Sequence, residues 1–167
     1  MIAALMLAAA TIGTILVLAA TRNTPQQPVT LPGVPAPQAG SPACQALTAA
    51  LPQQLGNFQR AEVAQPAPEG ASAWRSAAAT EPVILRCGLA RPDDFVVGSP
   101  IQVVDRVQWF RVARSTDAGR STWYTVDRPV YVALTLPTGS GPVPIQELSD
   151  IIDRTIAAVP IDPAPVR

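Results

Sequence analysis

The clearest periodic patterns in the chain predict two helices. The stretch IQELSDIIDRTIAAV, opened by Pro144, carries apolar residues at three- and four-residue spacing, as an amphipathic helix requires. A shorter helix is predicted to begin at Ser41-Pro42, because a capping hydroxyl followed by a first-turn proline is a helix-start signal. Pro52 should kink or end that helix. Its apolar stripe comprises Cys44, Leu47, Leu51 and Leu55.

Short apolar and β-branched runs between these helices predict strands. They lie at 82–89, 101–104, 107–115, 122–126 and 131–136, with a shorter candidate at 58–63. Residues 65–80 are rich in Pro, Ala and Ser and are predicted to form a loop, in which Trp74 is the one large anchor. The expected fold class is therefore α+β: an antiparallel sheet of about five strands, flanked by an N-terminal and a C-terminal helix.

The first residues form an apolar segment without any charged side chain. The first charge is Arg22, and the apolar run 2–20 approaches the roughly 20 residues that a helix needs to cross a bilayer. Two interpretations are open: an uncleaved transmembrane anchor or a cleaved secretory signal. The length of the run and the missing basic start favour the anchor. Arg22 alone would place the domain inside the cell by the positive-inside rule, whereas the cysteines favour export.

The chain is predicted to divide into four parts. Residues 1–22 form the anchor or signal, 23–42 a Pro-rich linker, 43–159 an extracytoplasmic α+β domain, and 160–167 a disordered tail. The linker carries prolines throughout, which favours an extended, polyproline-like spacer. The length of the domain is sufficient for a single hydrophobic core.

Composition excludes several kinds of chemistry. Twelve basic residues, all Arg, balance twelve acidic ones, and the chain contains neither His nor Lys. A neutral chain lacks the dense positive charge of nucleic-acid binding. Without His or Lys there is no Ser–His, Cys–His or Ser–Lys catalytic pair and no Schiff-base lysine. Asp93-Asp94 is expected to lie in a turn, and Glu147, Asp150 and Asp153 on a solvated helix face. No catalytic residue, cofactor or metal site is predicted.

Two cysteines and a group of arginines are the remaining candidates. Cys44 and Cys87 form an even pair on a chain that looks exported, so they predict either a disulfide or two buried thiols. Arginines lie among aromatic residues between 106 and 128, and Arg forks bind carboxylates and phosphates. The alternative is Arg–Asp pairing on a wet sheet face. The arginines of this group are Arg106, Arg111, Arg114, Arg120 and Arg128; of these, Arg111, Arg114, Arg120 and Arg128 are the candidate anion contacts.

Several short motifs resemble a known family. An apolar N-terminal segment and a Pro-rich stretch lead to a Cys in the first helix, and LRCG at 85–88 is followed by VQW at 107–109 and Arg128-Pro129. This combination resembles the domain-of-unknown-function family 3515, membrane-anchored or secreted proteins of actinobacteria, whose GC-rich genomes suit a chain without Lys. The resemblance implies an envelope location and a disulfide between Cys44 and Cys87. It implies no activity.

We therefore expect a non-enzymatic, membrane-tethered module of the cell envelope that acts by binding or scaffolding. It would be a single-pass protein with its domain outside the cytoplasm, or a secreted one if the N-terminal segment is cleaved. The alternative is an extracytoplasmic carrier or sensor of an anionic or lipidic ligand. Expected partners are the membrane, through the N-terminal segment, and an envelope protein or an anionic lipid or glycan; nucleic acid is not expected.

Overall fold

The computed structural model describes residues 27–112 and 119–166. They form two helices and one antiparallel sheet of eight strands. In chain order the elements are α1 (Pro42–Ala50), β1 (Gln54–Leu55), β2 (Phe58–Ala61), β3 (Ala71–Arg75), β4 (Val83–Leu89), β5 (Ile101–Val104), β6 (Val107–Val112), β7 (Arg120–Thr125), β8 (Tyr131–Pro137) and α2 (Val143–Thr155). The predicted α+β class is confirmed, and the sheet has more strands than the predicted five.

The sheet consists of two meanders that meet at its centre. Its strand order is β1-β2-β3-β4-β8-β7-β6-β5, so β4 and β8 join a first group of four strands to a second. The run at 82–89 does form a central strand, as predicted. The additional strands include β3, which lies inside the predicted loop 65–80. Its sequence ASAWR offers one large apolar side chain, too weak a pattern to indicate a strand.

Both helices pack on one face of the sheet, here called the inner face. Helix α2 contacts β1 as well as β5 and β6, which lie at opposite ends of the strand order, so the sheet curls around the helices. Trp74 and Trp109 are fully buried there, and their indole N–H groups donate to the Pro52 carbonyl (3.0 Å) and to Ser149 Oγ (2.9 Å). Both tryptophans are thus core anchors with satisfied donors.

The first helix begins as predicted and ends just before Pro52, one of the two effects predicted for that proline. The Ser41 hydroxyl accepts a hydrogen bond from the backbone N–H of Cys44, and proline occupies the first turn. The helix stops at Ala50, because Leu51 precedes Pro52 and is extended, as residues before proline usually are. Leu55 therefore belongs to β1 and not to the helix stripe, yet its side chain is still fully buried in the core.

A disulfide ties the first helix to the centre of the sheet. Cys44 of α1 and Cys87 of β4 are joined by a bond of 2.00 Å, and both residues are fully buried. The predicted pair is confirmed, and the alternative of two buried thiols is wrong.

The opposite, outer face of the sheet is covered by a segment that precedes the domain. Residues 28–40, here called the strap, bury Val29 and Leu31 against Ala61, Ala73 and Ile84. The Val29 N–H donates to the carbonyl of Glu62 (2.8 Å), and the Ala64 N–H donates to the carbonyl of Val29 (3.0 Å). This part of the predicted linker therefore packs on the domain, because small side chains on β2 and β3 leave room for its apolar residues.

The C-terminal tail also packs on the outer face. The Ala164 N–H donates to the Phe95 carbonyl (3.0 Å), and the Val97 N–H donates to the Ala164 carbonyl (2.9 Å). Arg91 binds Asp162 at 3.4 Å. Residues 160–167 were predicted to form a loose tail, and these backbone hydrogen bonds instead hold Ala164 beside a small cluster around Phe95 and Phe110.

The LRCG motif explains how strap, sheet and first helix are held together. Leu85 and Cys87 point to the inner face, while the Arg86 guanidinium on the outer face donates to the Pro32 carbonyl of the strap at 3.0 Å. Gly88 has a φ of 87°, and a Cβ placed there would lie 2.2 Å from the backbone nitrogen of Ala39. Only glycine permits this close crossing of the strap.

Replacing Gly88 with alanine should lower the free energy of unfolding by about 2–3 kcal/mol, from a strained backbone and a displaced strap. Gly33→Ala is the matched control, because Gly33 lies in the same strap and a Cβ at that position would meet no atom within 4 Å. Equilibrium unfolding in urea, followed by tryptophan fluorescence, measures both variants. Equal stability of the two variants would contradict the assignment of Gly88 as the crossing point.

No helix in residues 27–112 or 119–166 is long and apolar enough to cross a membrane. The predicted anchor at 1–22 lies outside the described residues.

Candidate functional site

The inner face of the sheet extends beyond the part that the helices cover. Successive inward residues of β6 are Val107, Trp109 and Arg111; the first two lie in the core, and the third is exposed. Arg111 is directly opposite Trp123 of β7 in the register of the two strands. Along β6, the inner face of the sheet therefore passes from the packed core to an open surface that carries an arginine and an aromatic ring.

This surface is the floor of an open groove of about 500 Å³. One wall is the connection from β8 to α2, residues 137–142, together with Ile145 and Gln146 in the first turn of α2. The other wall is the edge strand β5, through Gln102 and Val104. Open mouths at the end of a curled sheet are common places for ligand binding.

The positive charge of Arg111 is held over an aromatic ring. Its guanidinium carbon lies 5.7 Å from the centroid of the Trp123 ring, within the range of a cation–π contact. Trp123 is itself fixed, because its indole N–H donates to Ser121 Oγ at 3.1 Å. Such stacking reduces the conformational freedom that an arginine loses when it binds an anion, and leaves its N–H fork available for bidentate contacts.

Arg120 lines the same groove from the beginning of β7. Its guanidinium lies 3.5 Å from Glu81, and both side chains are partly exposed. An ion pair of this length between exposed groups contributes little to stability and can exchange its partner. Arg111 and Arg120 therefore bring two positive charges to one groove, which also contains the polar side chains of Gln102, Ser121 and Thr138.

The structure separates the predicted anion contacts. Arg111 and Arg120 lie in the groove, and Arg114 lies outside the described residues. Arg128 is a correction: its side chain has no exposed surface and is bound to two carboxylates, so it is not available to a ligand. Arg106, also in the predicted group, binds Asp153 at 2.6 Å on another part of the surface.

Arg128 belongs to a buried charge network under the end of α2. It lies 2.9 Å from the Asp127 carboxylate and 3.2 Å from that of Asp153, and it donates to the Arg106 carbonyl at 3.2 Å. The Gln108 N–H also donates to Asp127 (3.1 Å). Burial raises the pKa of the Asp127 carboxyl, and this rise is opposed by the Arg128 charge and by the Gln108 hydrogen bond. Asp127 Oδ1 and Arg128 Nε have no hydrogen-bond partner among the described residues.

A second open groove lies along the outer side of α2 and is acidic. It is lined by Asp105, Arg106, Gln146, Glu147, Asp150 and Asp153. Three of these four carboxylates are engaged in local contacts: Asp153 binds Arg106, Asp150 pairs with Arg154, and Glu147 accepts the N–H of Gly56 at 3.2 Å. In the described part of the chain, no three His, Cys, Asp or Glu residues are grouped as metal ligands.

The sequence indicates the two groove arginines as candidate anion contacts, and it does not indicate the groove. Gln102, Ser121 and Thr138 are ordinary polar residues of strands and turns, so nothing in their spacing indicates a shared site. One usable signal was the alternation of Val107, Trp109 and Arg111, which places an arginine on the core face of a strand.

Fold and groove together define an α+β domain with a curled antiparallel sheet, a disulfide between its first helix and its central strand, and an Arg–Trp groove beside the first turn of the second helix. The chain belongs to the family described as "Protein of unknown function (DUF3515)", whose model matches residues 5–161. The match confirms the family and takes in most of the N-terminal apolar run as well as the domain. No curated protein and no solved structure matches the chain.

Proposed function

We propose that this protein is a membrane-tethered extracytoplasmic binding module that recognises a phosphate or carboxylate group in the Arg–Trp groove. The observation that carries the proposal is the stacked guanidinium of Arg111 on the groove floor, with Arg120 beside it. Two guanidiniums in one open groove favour an anion by charge and by bidentate hydrogen bonding. The neutral polar side chains around them suit a ligand that also carries hydroxyl groups.

The compartment is inferred from the cysteines and the N-terminal segment. A disulfide that joins buried residues of the domain core is typical of proteins that fold in an oxidising space. The uncharged apolar run at 2–20 supplies the tether. The composition, with twelve Arg and no Lys, supports an origin in a GC-rich actinobacterium, as the resemblance implies.

Ligand binding is favoured over scaffolding through an apolar surface. The large hydrophobic side chains that the described residues expose are six valines and one isoleucine. Val34, Val97, Val103 and Val143 lie on different parts of the fold, and Val159, Ile161 and Val166 lie in or next to the C-terminal tail. Apolar residues that are exposed singly are normal on the surface of soluble proteins.

The proposal predicts that the double variant Arg111→Ala, Arg120→Ala binds its ligand at least about tenfold more weakly than the parent, because each charge-assisted hydrogen bond contributes roughly 1.5–3 kcal/mol. The full chain in neutral-lipid vesicles would be titrated calorimetrically with a hexose phosphate, a hexuronic acid and an uncharged hexose. Vesicles containing phosphatidylglycerol form a separate arm, read as the change in thermal stability of the domain. The two arms distinguish a soluble or wall-derived anion from a lipid headgroup.

The matched control is Arg91→Ala, Arg154→Ala, which removes the same charge from exposed arginines outside the groove. Specific binding is contradicted if both double variants lose the same affinity, since that result indicates a general electrostatic effect. Equal binding by the Arg111, Arg120 variant and the parent would remove the groove as the site.

A further inference from the structure

The strap shortens the connection between the N-terminal segment and the domain. If residues 23–42 were free, the chain from residue 20 to Ala43 would contain 23 connecting steps and extend to about 80 Å. The structure instead pairs Val29 with Val63 beside the end of β2. Only nine steps then separate residue 20 from Val29, a reach of about 30 Å at full extension.

The strap is held at several points and by two kinds of contact. Val29 and Leu31 are 3% and 8% exposed, so its first part is anchored by apolar burial. In its middle, the Pro32 carbonyl accepts a hydrogen bond from the Arg86 guanidinium of β4, and the Gln38 N–H donates to the Gly88 carbonyl at 3.0 Å. The strap then leads directly into α1, which the disulfide fixes to β4. A segment bound by burial, hydrogen bonds and a covalent end is not a free spacer.

We propose that the strap holds the domain at the membrane surface, with the β2–β3 connection (residues 62–70) as the part of the domain closest to the lipid. The proposal rests on the membrane anchorage proposed above and goes beyond it, because an anchored domain with a free linker could stand far from the bilayer. The β2–β3 connection faces the lipid surface itself. The short tether keeps the two close together, and no attraction between them is needed. The connection carries no arginine, and its exposed residues include Gln65 and Ala67.

The test measures the distance from the domain to the bilayer in the full chain reconstituted in lipid vesicles. Ala67→Cys provides one free thiol for a donor dye, since Cys44 and Cys87 are joined. An acceptor dye is placed on lipid headgroups, and energy transfer is recorded. We expect strong transfer in this chain and at least a twofold lower efficiency when Val29→Asp and Leu31→Asp release the strap.

The matched control is Gly33→Asp, Val34→Asp, which adds the same two charges to exposed positions of the strap. Hydrogen exchange at the Ala64 amide, which donates to Val29, reports release of the strap independently of transfer. Fluorescence of the buried Trp74 and Trp109 shows that the domain remains folded in each variant.

The outcomes distinguish the two proposals. Strong transfer in the parent and the control, with loss of transfer and faster Ala64 exchange in the Val29, Leu31 variant, supports the short tether. Low transfer in a parent that floats with the vesicles overturns the short tether and leaves the anchorage intact. A parent that does not float with the vesicles contradicts the anchorage and, with it, the position at the bilayer.

Discussion

Replacing Arg128 with methionine is expected to lower the free energy of unfolding by about 3–5 kcal/mol, the usual cost of removing one partner from a buried ion pair. The side chain of Arg128 has no exposed surface, and its loss leaves the carboxylate of Asp127 buried without a counter-charge. It also removes the contact to Asp153, which connects the β7–β8 turn to α2. Equilibrium unfolding in guanidinium chloride measures the change.

Two further variants determine whether the unpaired charge is the cause. Arg154→Met removes an exposed pair with Asp150 on the same helix and should change the free energy of unfolding by no more than about 0.5 kcal/mol. Adding Asp127→Asn to Arg128→Met removes the uncompensated charge and should recover part of the loss. A double variant less stable than Arg128→Met alone would show that lost packing dominates.

The helices and central strands could be predicted because their signals are local. Ser41-Pro42 marks a helix start by its own chemistry, and the run at 83–89 is apolar enough to be a strand in any context. The eight-stranded count could not be predicted, because β1 has two residues and β3 consists mainly of Ala and Ser. Such strands form because their neighbours offer backbone partners, a tertiary effect that composition does not record.

The packing of the Pro-rich segment was not predictable for a related reason. Its prolines correctly indicate extended backbone, which is also the conformation of the docked strap where Val29 pairs with Val63. Docking requires room on the outer face, and that room comes from Ala61 and Ala73 on strands far along the chain. The role of Arg128 was not predictable for the same reason. Its partner Asp153 lies on a helix 25 residues later in the chain, and only the fold shows that the two side chains are in contact.

The groove was half predictable. The arginines were identified as one group among aromatic residues from their residue types, and the alternation along β6 places Arg111 on the same side as Val107 and Trp109. The sequence could not show that α2 begins beside Arg111 and Trp123 without covering them, so that Arg111 stays exposed. The distinction between an anion site and internal Arg–Asp pairing depends on the fold: Arg128 is paired internally with Asp127, whereas Arg111 is stacked on Trp123 and exposed.

Removal of the disulfide by Cys44→Ala, Cys87→Ala is expected to lower the free energy of unfolding by about 4 kcal/mol, because the bond joins residues 43 positions apart and restricts the unfolded chain. The effect should also be local in the folded state. Cys87 is adjacent to Gly88, where the strap crosses, so loosening α1 should raise hydrogen exchange at the amides of Val29 and Gln38.

The reducing agent provides the control for that experiment. The parent should lose the same stability when it is unfolded in dithiothreitol, whereas the alanine variant should be unaffected by the reductant. A variant as stable as the oxidised parent would mean that burial alone holds α1 on the sheet. The disulfide would then give no support to an oxidising compartment, since a bond that adds no stability gives the domain no need to fold outside the cell. A loss near 4 kcal/mol, with faster exchange confined to the strap and α1, would instead show that the disulfide stabilises the domain and holds the strap in place. Folding in an oxidising compartment would then be needed for a stable domain.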